Sequence, residues 1–200
     1  VRNIVKNGGF DILKRLLPAP SYGILMNNIK QGHIVPDLSV FEKQIIYNLR
    51  KMDVTEIAEL PDVSEGLEFA IKKAANSCNS IVEFLNIIKS KRYTSTRIQR
   101  ILLYSLLGIT KKDMALSRKQ YPYIRVLGLN NRGKFLISEI AKANPKLEII
   151  TSVKRFVDTN SNKNLKLMLE KDIWATDVYT VGYEYDSWNN LDFTKKIVTI

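Results

Sequence analysis

K-S-K-R-Y-T-S-T-R-I-Q-R-I-L-L-Y-S-L-L-G-I, residues 89–109, sets the character of the whole chain. It opens on Lys89, Lys91 and Arg92, passes the hydroxyls of Thr94, Ser95 and Thr96, which suit a helix N-cap, and runs through Arg97 and Arg100 into an apolar segment. A helix starting near Ser95 sets Arg97, Arg100 and Tyr104 on one face, since residues three and four apart are neighbours on its surface. Residues 101–107 are apolar nearly all round, which predicts a buried body and an exposed basic first turn. First-turn amides lack intrahelical partners and carry partial positive charge, so arginines placed there suit a phosphate and run against the helix dipole unless an anion compensates. A solvated basic surface over a core helix explains the same residues equally well. On the phosphate reading, removing Arg97 or Arg100 should leave folding intact.

Downstream, residues 110–120 read as a basic amphipathic helix with Lys111, Lys112, Arg118 and Lys119, ended by Pro122. The period then changes. Residues 123–129 are β-rich, 132–143 helical and 147–153 β-rich again, which predicts a small β-α-β crossover with parallel strands. Asn130, Asn131, Arg132, Gly133 and Lys134 form the turn at the carboxyl end of the first strand, where open α/β sheets bind ligands. Arg125, Arg132 and Lys134 either extend the basic surface or are simply exposed. Residues 160–179 are helical, with Leu165, Leu169, Ile173 and Trp174 at core spacing. Tyr183, Tyr185 and Trp188 follow, as aromatics to stack on unpaired bases or to pack the tail onto the core. The ending, 193–200, is too short to assign.

Upstream, residues 1–6 look like a helix end stopped by Gly8 and Gly9, and 10–17 like a short helix ended by Pro18 and Pro20. Helices follow at 21–31 and 38–52, the latter started by Pro36-Asp37 and carrying apolar Val40, Phe41, Ile45, Ile46 and Leu49. Asp62 with Glu65 resembles a capping box for a helix to about residue 75, and Ser80 caps one through 88. The helix at 80–88, the turn and the helix from 95 have a helix-turn-helix outline. A recognition helix must expose a polar face, which this one lacks, so DNA ranks below an RNA backbone. The expected fold is mainly α, a helical bundle with a small βαβ element in the C-terminal part, of class α+β. Its expected divisions are 1–20, a helical 21–120 and an α/β 121–200.

A hydrophobic content of 45% over 200 residues is ample for a core, and a formal net charge of +11 suits a polyanionic partner such as nucleic acid. The single cysteine, Cys78, excludes an intrachain disulfide and a cysteine-rich zinc site, and a reducing cytoplasm is the expected home. No apolar run reaches membrane-spanning length, no signal-peptide core is visible, and no metal constellation stands out.

The string K-R-Y-T-x-T-R-I-Q-R-x-L-L-x-x-L-L-G-I resembles a signature of the C-terminal half of the bacterial tRNA(Met) cytidine acetate ligase family. Three further blocks agree in order and spacing, D-V-S-E-G-L-E from Asp62, Y-I-R-V-L-G from Tyr123 and D-V-Y-T-V-G-Y from Asp177. The resemblance implies an enzyme that adenylates acetate with ATP, with magnesium, and passes the acetyl group to the wobble cytidine of elongator tRNA(Met). It implies that Lys91, Arg92, Arg97, Arg100, Lys111, Lys112, Arg118, Lys119, Arg125, Arg132 and Lys134 contact that tRNA. The family's N-terminal half is a nucleotidyltransferase-like domain with an H-x-G-H motif. Lys30-Gln31-Gly32-His33 lacks the first histidine and does not supply it. Val1-Arg2 resembles the end of that domain, which makes Arg2 a remnant of the ATP site. Since Val1 is not a methionine, the expectation is a fragment: the tRNA-binding part, inactive alone, without bound cofactor and with the catalytic nucleotide-binding half missing. The alternative is a non-catalytic helical module for protein contact or dimerisation.

Overall fold

The structure is a computed structural model that describes residues 1–200 apart from 36, 65, 89–92 and 186–189, and the backbone alone of Arg2. The chain divides into two compact units: one covers Val1–Ile109 and resumes at Asp177, and the other covers Thr110–Thr176 and Asn190–Ile200. It passes from the first to the second after Ile109, where the sequence reading drew its lines at 20 and 120.

In the first unit, α1 (Arg2–Lys6), α2 (Phe10–Leu16) and α3 (Ala19–Lys30) follow closely. α3 begins earlier than expected, because Pro20 sits in its first turn, where a missing N–H costs nothing. A 3₁₀ turn at Leu38–Phe41 is capped by the Asp37 carboxylate, which accepts from the Ser39 amide at 2.9 Å, and leads into α4 (Glu42–Lys51). α5 (Val54–Ala58) has a capping box of Asp53 and Glu56. Its five residues are too short for a periodic pattern to reveal. α6 (Leu67–Ser77), α7 (Ile81–Ile88) and α8 (Ser95–Leu107) complete the helices before residue 109. Ile45, Leu49, Ile57, Ile71, Ala74, Phe84, Ile98, Ile101 and Leu102 fill one core, which Val178 joins. Each large apolar side chain buried there contributes roughly 1.5–3 kcal/mol. Val40 of the expected apolar set is exposed instead.

α8 follows its sequence reading closely. Thr94 caps it, accepting from the Arg97 amide at 3.3 Å, and Gly108 closes it at φ 63°, a conformation glycine adopts without a Cβ penalty. Leu103 is an exception to the buried body, being 40% exposed. The capping box expected of Asp62 and Glu65 is corrected. α6 starts at Leu67 with Gly66 at its N-cap, the Asp62 carboxylate bonds elsewhere, and Glu65 lies outside the described residues.

In the second unit, α9 (Lys111–Lys119) is opened by a capping box of Thr110 and Asp113. β1 (Tyr123–Arg125) leads to β2 (Gly128–Leu129), α10 (Asn131–Ala143) and β3 (Glu148–Ile150), and β1 and β3 pair in parallel with Arg125 opposite Ile150. The expected β-α-β crossover is there. The run 123–129 is nevertheless two strands, because it changes neighbour: the Val126 amide donates to the Ile150 carbonyl at 2.9 Å, and the Leu127 carbonyl accepts from the Val198 amide at 3.1 Å. β2 therefore pairs in parallel with β4 (Val198–Thr199), in the stretch too short to assign from sequence. The second β-rich run also stops early, since Ser152 caps α11 (Val153–Thr159). α12 (Lys163–Val181), whose residues from Asp177 on belong to the first unit, and the short α13 (Leu191–Thr194) follow. Ile150, Val153, Phe156, Leu165, Leu169 and Ile173 form this unit's core. Trp174 was expected there and is 50% exposed, because adjacent residues on a helix point about 100° apart and Ile173 takes the inward direction.

Candidate nucleic-acid interface

The cap at Thr94 fixes where α8 starts, and so aims Arg97 and Arg100, one turn apart, toward the loop before α6. The Arg97 guanidinium donates through Nε and Nη2 to the Asp62 carbonyl at 2.9 and 2.7 Å, and through Nη2 to Ser64 Oγ at 2.9 Å. Its carbon lies 5.3 Å from the centre of the Tyr93 ring. Arg100 Nε donates to the Asp62 carboxylate at 2.8 Å, a hydrogen bond that raises the arginine's pKa. Asp62 itself sits at φ 65°, in the left-handed region that aspartate tolerates better than most side chains.

These contacts divide the pair. Arg97 is anchored by two neutral oxygens and pairs with no carboxylate among the described residues, whereas Arg100 shares a carboxylate in an ion pair whose side chains are 51% and 34% exposed. The expectation that Arg97 could be removed without touching the fold runs against its contacts, while that for Arg100, in an exposed pair, is left as it was. Arg97 ties α8 to the 62–64 loop through three hydrogen bonds.

The second unit carries the other candidates separately. Lys111 and Lys112 are exposed in the first turn of α9, and Arg118 and Lys119 in its last turn, where cations suit the helix dipole in any case. Arg132 and Lys134 are exposed at the start of α10. Arg125 is not free surface, a correction to its candidacy. It donates to both oxygens of Asp192 at 2.6 and 3.3 Å, with side chains only 23% and 13% exposed, so it ties β1 to α13. Beside it, the Tyr123 hydroxyl donates to the Asp172 carboxylate, and burial and that bond push its pKa up.

The tyrosines expected to stack on bases are also partly committed. Tyr183 stacks on His33 with ring centres 4.8 Å apart, and Tyr179 meets Tyr183 edge-on at 5.8 Å. The Glu184 amide donates to the Gly32 carbonyl at 2.9 Å, so this segment packs on residues 32–35. Tyr185 remains exposed. Lys91, Arg92, Trp188 and the side chain of Arg2 lie outside the described residues.

A shallow depression of about 720 Å³ lies at the start of α10, lined by Asn130, Asn131, Arg132, Gly133, Phe135 and Leu136. Among the described residues no group of three His, Cys, Asp or Glu side chains could hold a metal. No helix among them is long and apolar enough to cross a membrane. Cys78 is buried, which pushes its thiol pKa up.

The fold has counterparts among known proteins. The family model described as HIGH Nucleotidyl Transferase matches residues 1–192, so the chain belongs to that family of enzymes. Within it, the chain is similar to the tRNA(Met) cytidine acetate ligase of Thermoanaerobacter pseudethanolicus, 36% identical over all of this chain and 48% of that protein. It is 38% identical to the ligase of the same name from Syntrophomonas wolfei, over 79% of this chain and 39% of that protein. The chain spans about half the length of the curated relatives it matches. Two crystal structures of Thermotoga maritima TmcAL share the fold, each over all of this chain at 24% identity. The apo form has a TM-score of 0.89 over 49% of that chain, and the form bound with alpha-thio ATP has 0.87 over 50%.

The family match corrects one expectation. The chain was expected to be a tRNA-binding part with the nucleotide-binding half missing, or else a non-catalytic interaction module. The nucleotidyl transferase model instead runs over residues 1–192, nearly the whole chain, so this chain cannot be set apart from the nucleotidyl transferase family.

Proposed function

We infer that this chain belongs to an ATP-using ligase that attaches an acetyl group to a cytidine of elongator tRNA(Met), and that its basic helix ends hold the RNA. The reaction is supported by the name shared by its relatives, and ATP by the alpha-thio ATP held in a protein of the same fold. A carboxylate does not acylate an amine unaided. Acetate is first joined to the α-phosphate of ATP with loss of pyrophosphate, and the cytidine amine then attacks the acetyl carbon and releases AMP. Magnesium would accompany the triphosphate, and no residue of this chain is assigned to it.

The observation that carries the RNA role is Arg97: a guanidinium held rigidly by neutral acceptors at the start of a helix with no acid in its first turn. A cation fixed in place loses little entropy on meeting a phosphate, and none of the described carboxylates is paired with this one. Arg100 can exchange its exposed partner Asp62 for a phosphate at small cost, since such pairs are worth about 0–1 kcal/mol. Lys111, Lys112, Arg118, Lys119, Arg132 and Lys134 offer further phosphate contacts in the second unit. Arg125 plays no part, being committed to Asp192.

The test is titration of fluorescent tRNA(Met) with the chain at several salt concentrations, against a DNA duplex as competitor. Salt-sensitive binding that survives the DNA is the expected result. Salt-insensitive self-association without RNA binding would overturn the reading. In a polypeptide of the relatives' full length, ATP- and acetate-dependent acetylation of tRNA(Met) should fall when Arg97 becomes alanine.

A further inference from the structure

We propose that the depression at the start of α10 seats one unpaired nucleotide, with Phe135 as a stacking platform for the base and Arg132 at a neighbouring phosphate. The proposal rests on the tRNA reading and adds to it how the second unit grips the RNA. Phe135 is 70% exposed and Leu136 58%, on a helix whose inward side is carried by Gly133, Ile137 and Ile140, so neither is used by the core. Arg132, Phe135 and Leu136 share a face at spacings of three and four. The depression is open and lined by one short stretch of chain, so it offers a face for a base to lie on and does not enclose one.

The chemistry of its wall selects the occupant. An exposed aromatic ring accepts any base face, and the Arg132 cation on the same face favours a ligand that is planar on one side and anionic on the other. The nearest acid on α10, Glu139, is already paired with Lys142 at 2.7 Å. The Gly133 amide is taken by the Asn130 side chain at 2.8 Å, so the site is made of side chains and not of a bare helix end. Asn131 is exposed beside the ring, with an amide that can both donate to and accept from a base edge. A second copy of this chain is disfavoured as the occupant, because it brings the same +11 charge.

The test uses the whole chain with two probes, a fluorescent single-stranded oligoribonucleotide of about ten residues and tRNA(Met). Phe135→Ala should weaken single-strand binding about tenfold with an unchanged salt slope, Phe135→Trp should restore it, and Phe135→Leu, apolar but without a ring face, should not. Arg132→Ala should instead lower the slope by about 0.7. The melting temperature of Phe135→Ala should stay at the wild-type value, which separates stacking from folding. Equal affinity of Phe135→Ala and wild type for the single strand would overturn the proposal, and so would a dimer that Phe135→Ala dissociates without touching RNA affinity. If the wild type binds tRNA and only the Phe135 series is silent, the platform is wrong and the tRNA reading stands. If the wild type binds neither probe, both fail.

Discussion

At the scale of single residues, the loop at 62–64 and the arginines of α8 form one unit of chemistry. Arg97→Ala removes three hydrogen bonds and should cost about 1–2 kcal/mol, seen as a melting temperature lower by a few degrees. Arg97→Lys keeps the charge and loses the fork, so it should lose comparable stability while retaining most of the tRNA salt dependence. A melting temperature unchanged in both variants would mean that the contacts with Asp62 and Ser64 contribute nothing. A second residue-scale prediction concerns acid. The hydrogen bond from Lys6, then that from Ser39, holds the carboxyl of Asp37 at about 2, below its ordinary 3.8. A depressed carboxylate stabilises the fold above its unfolded pKa and stops doing so as pH falls through the folded one, so this contribution is lost between about pH 4 and 2. Because Lys6 is exposed, it amounts to roughly 1 kcal/mol after solvent screening. Asp37→Asn should therefore be destabilised at pH 6, with the gap to wild type shrinking as pH falls through about 4 towards 2 and closing below that. Equal stabilities at pH 6 would show the pair to be idle.

At the scale of elements, the helices of the first unit satisfy each other's ends. Arg50 of α4 donates to the carbonyls of Ala75 and Cys78 at 2.8 Å, at the end of α6. Lys72 of α6 donates to those of Arg50 and Met52 at 2.6 and 2.5 Å, at the end of α4. Each cation meets carbonyls that have no helical partner and the negative end of a dipole. Lys72→Met should destabilise by about 1–3 kcal/mol in thermal melts, and a neutral result would mean that water satisfies those carbonyls equally well. Gly182, in the D-V-Y-T-V-G-Y block, is set by close approach, since a Cβ there would stand 2.8 Å from Phe41 and 2.9 Å from Val35. Gly182→Ala should cost about 1–3 kcal/mol through overpacking of a core side chain, and a wild-type melt would show that Phe41 moves freely. What was legible at this scale was local. The hydroxyls of Thr94, Ser95 and Thr96 marked the start of α8, and the change of period after Pro122 disclosed the β-α-β crossover. The pairing of β2 with β4 was not legible, because a two-residue strand has no pattern and its partner lies 70 positions away in sequence.

At the scale of the whole molecule, charge and family were readable while the commitments of individual charges were not. A surplus of +11 and four ordered blocks lead to the same class of ligase that the relatives' names give. No sequence pattern showed that Asp192 would claim Arg125 or Asp62 would claim Arg100, since a salt bridge across 67 or 38 positions is set by tertiary contact alone. The expected split into an RNA-binding part and a missing nucleotide-binding half was also misjudged. The absent H-x-G-H string led to an expectation that the nucleotidyl transferase family model, spanning residues 1–192, does not support.

The central claim is that the fixed charge of Arg97 meets an RNA phosphate, and the slope of log Kd against log salt for tRNA(Met) tests it most directly. For wild type against Arg97→Ala, each measured well below its melting temperature, the slope should be smaller in the variant by about 0.7–0.9, one phosphate contact's worth, with Arg97→Lys close to wild type. A folded Arg97→Ala protein that binds tRNA(Met) with the wild-type affinity and the wild-type slope would contradict the account.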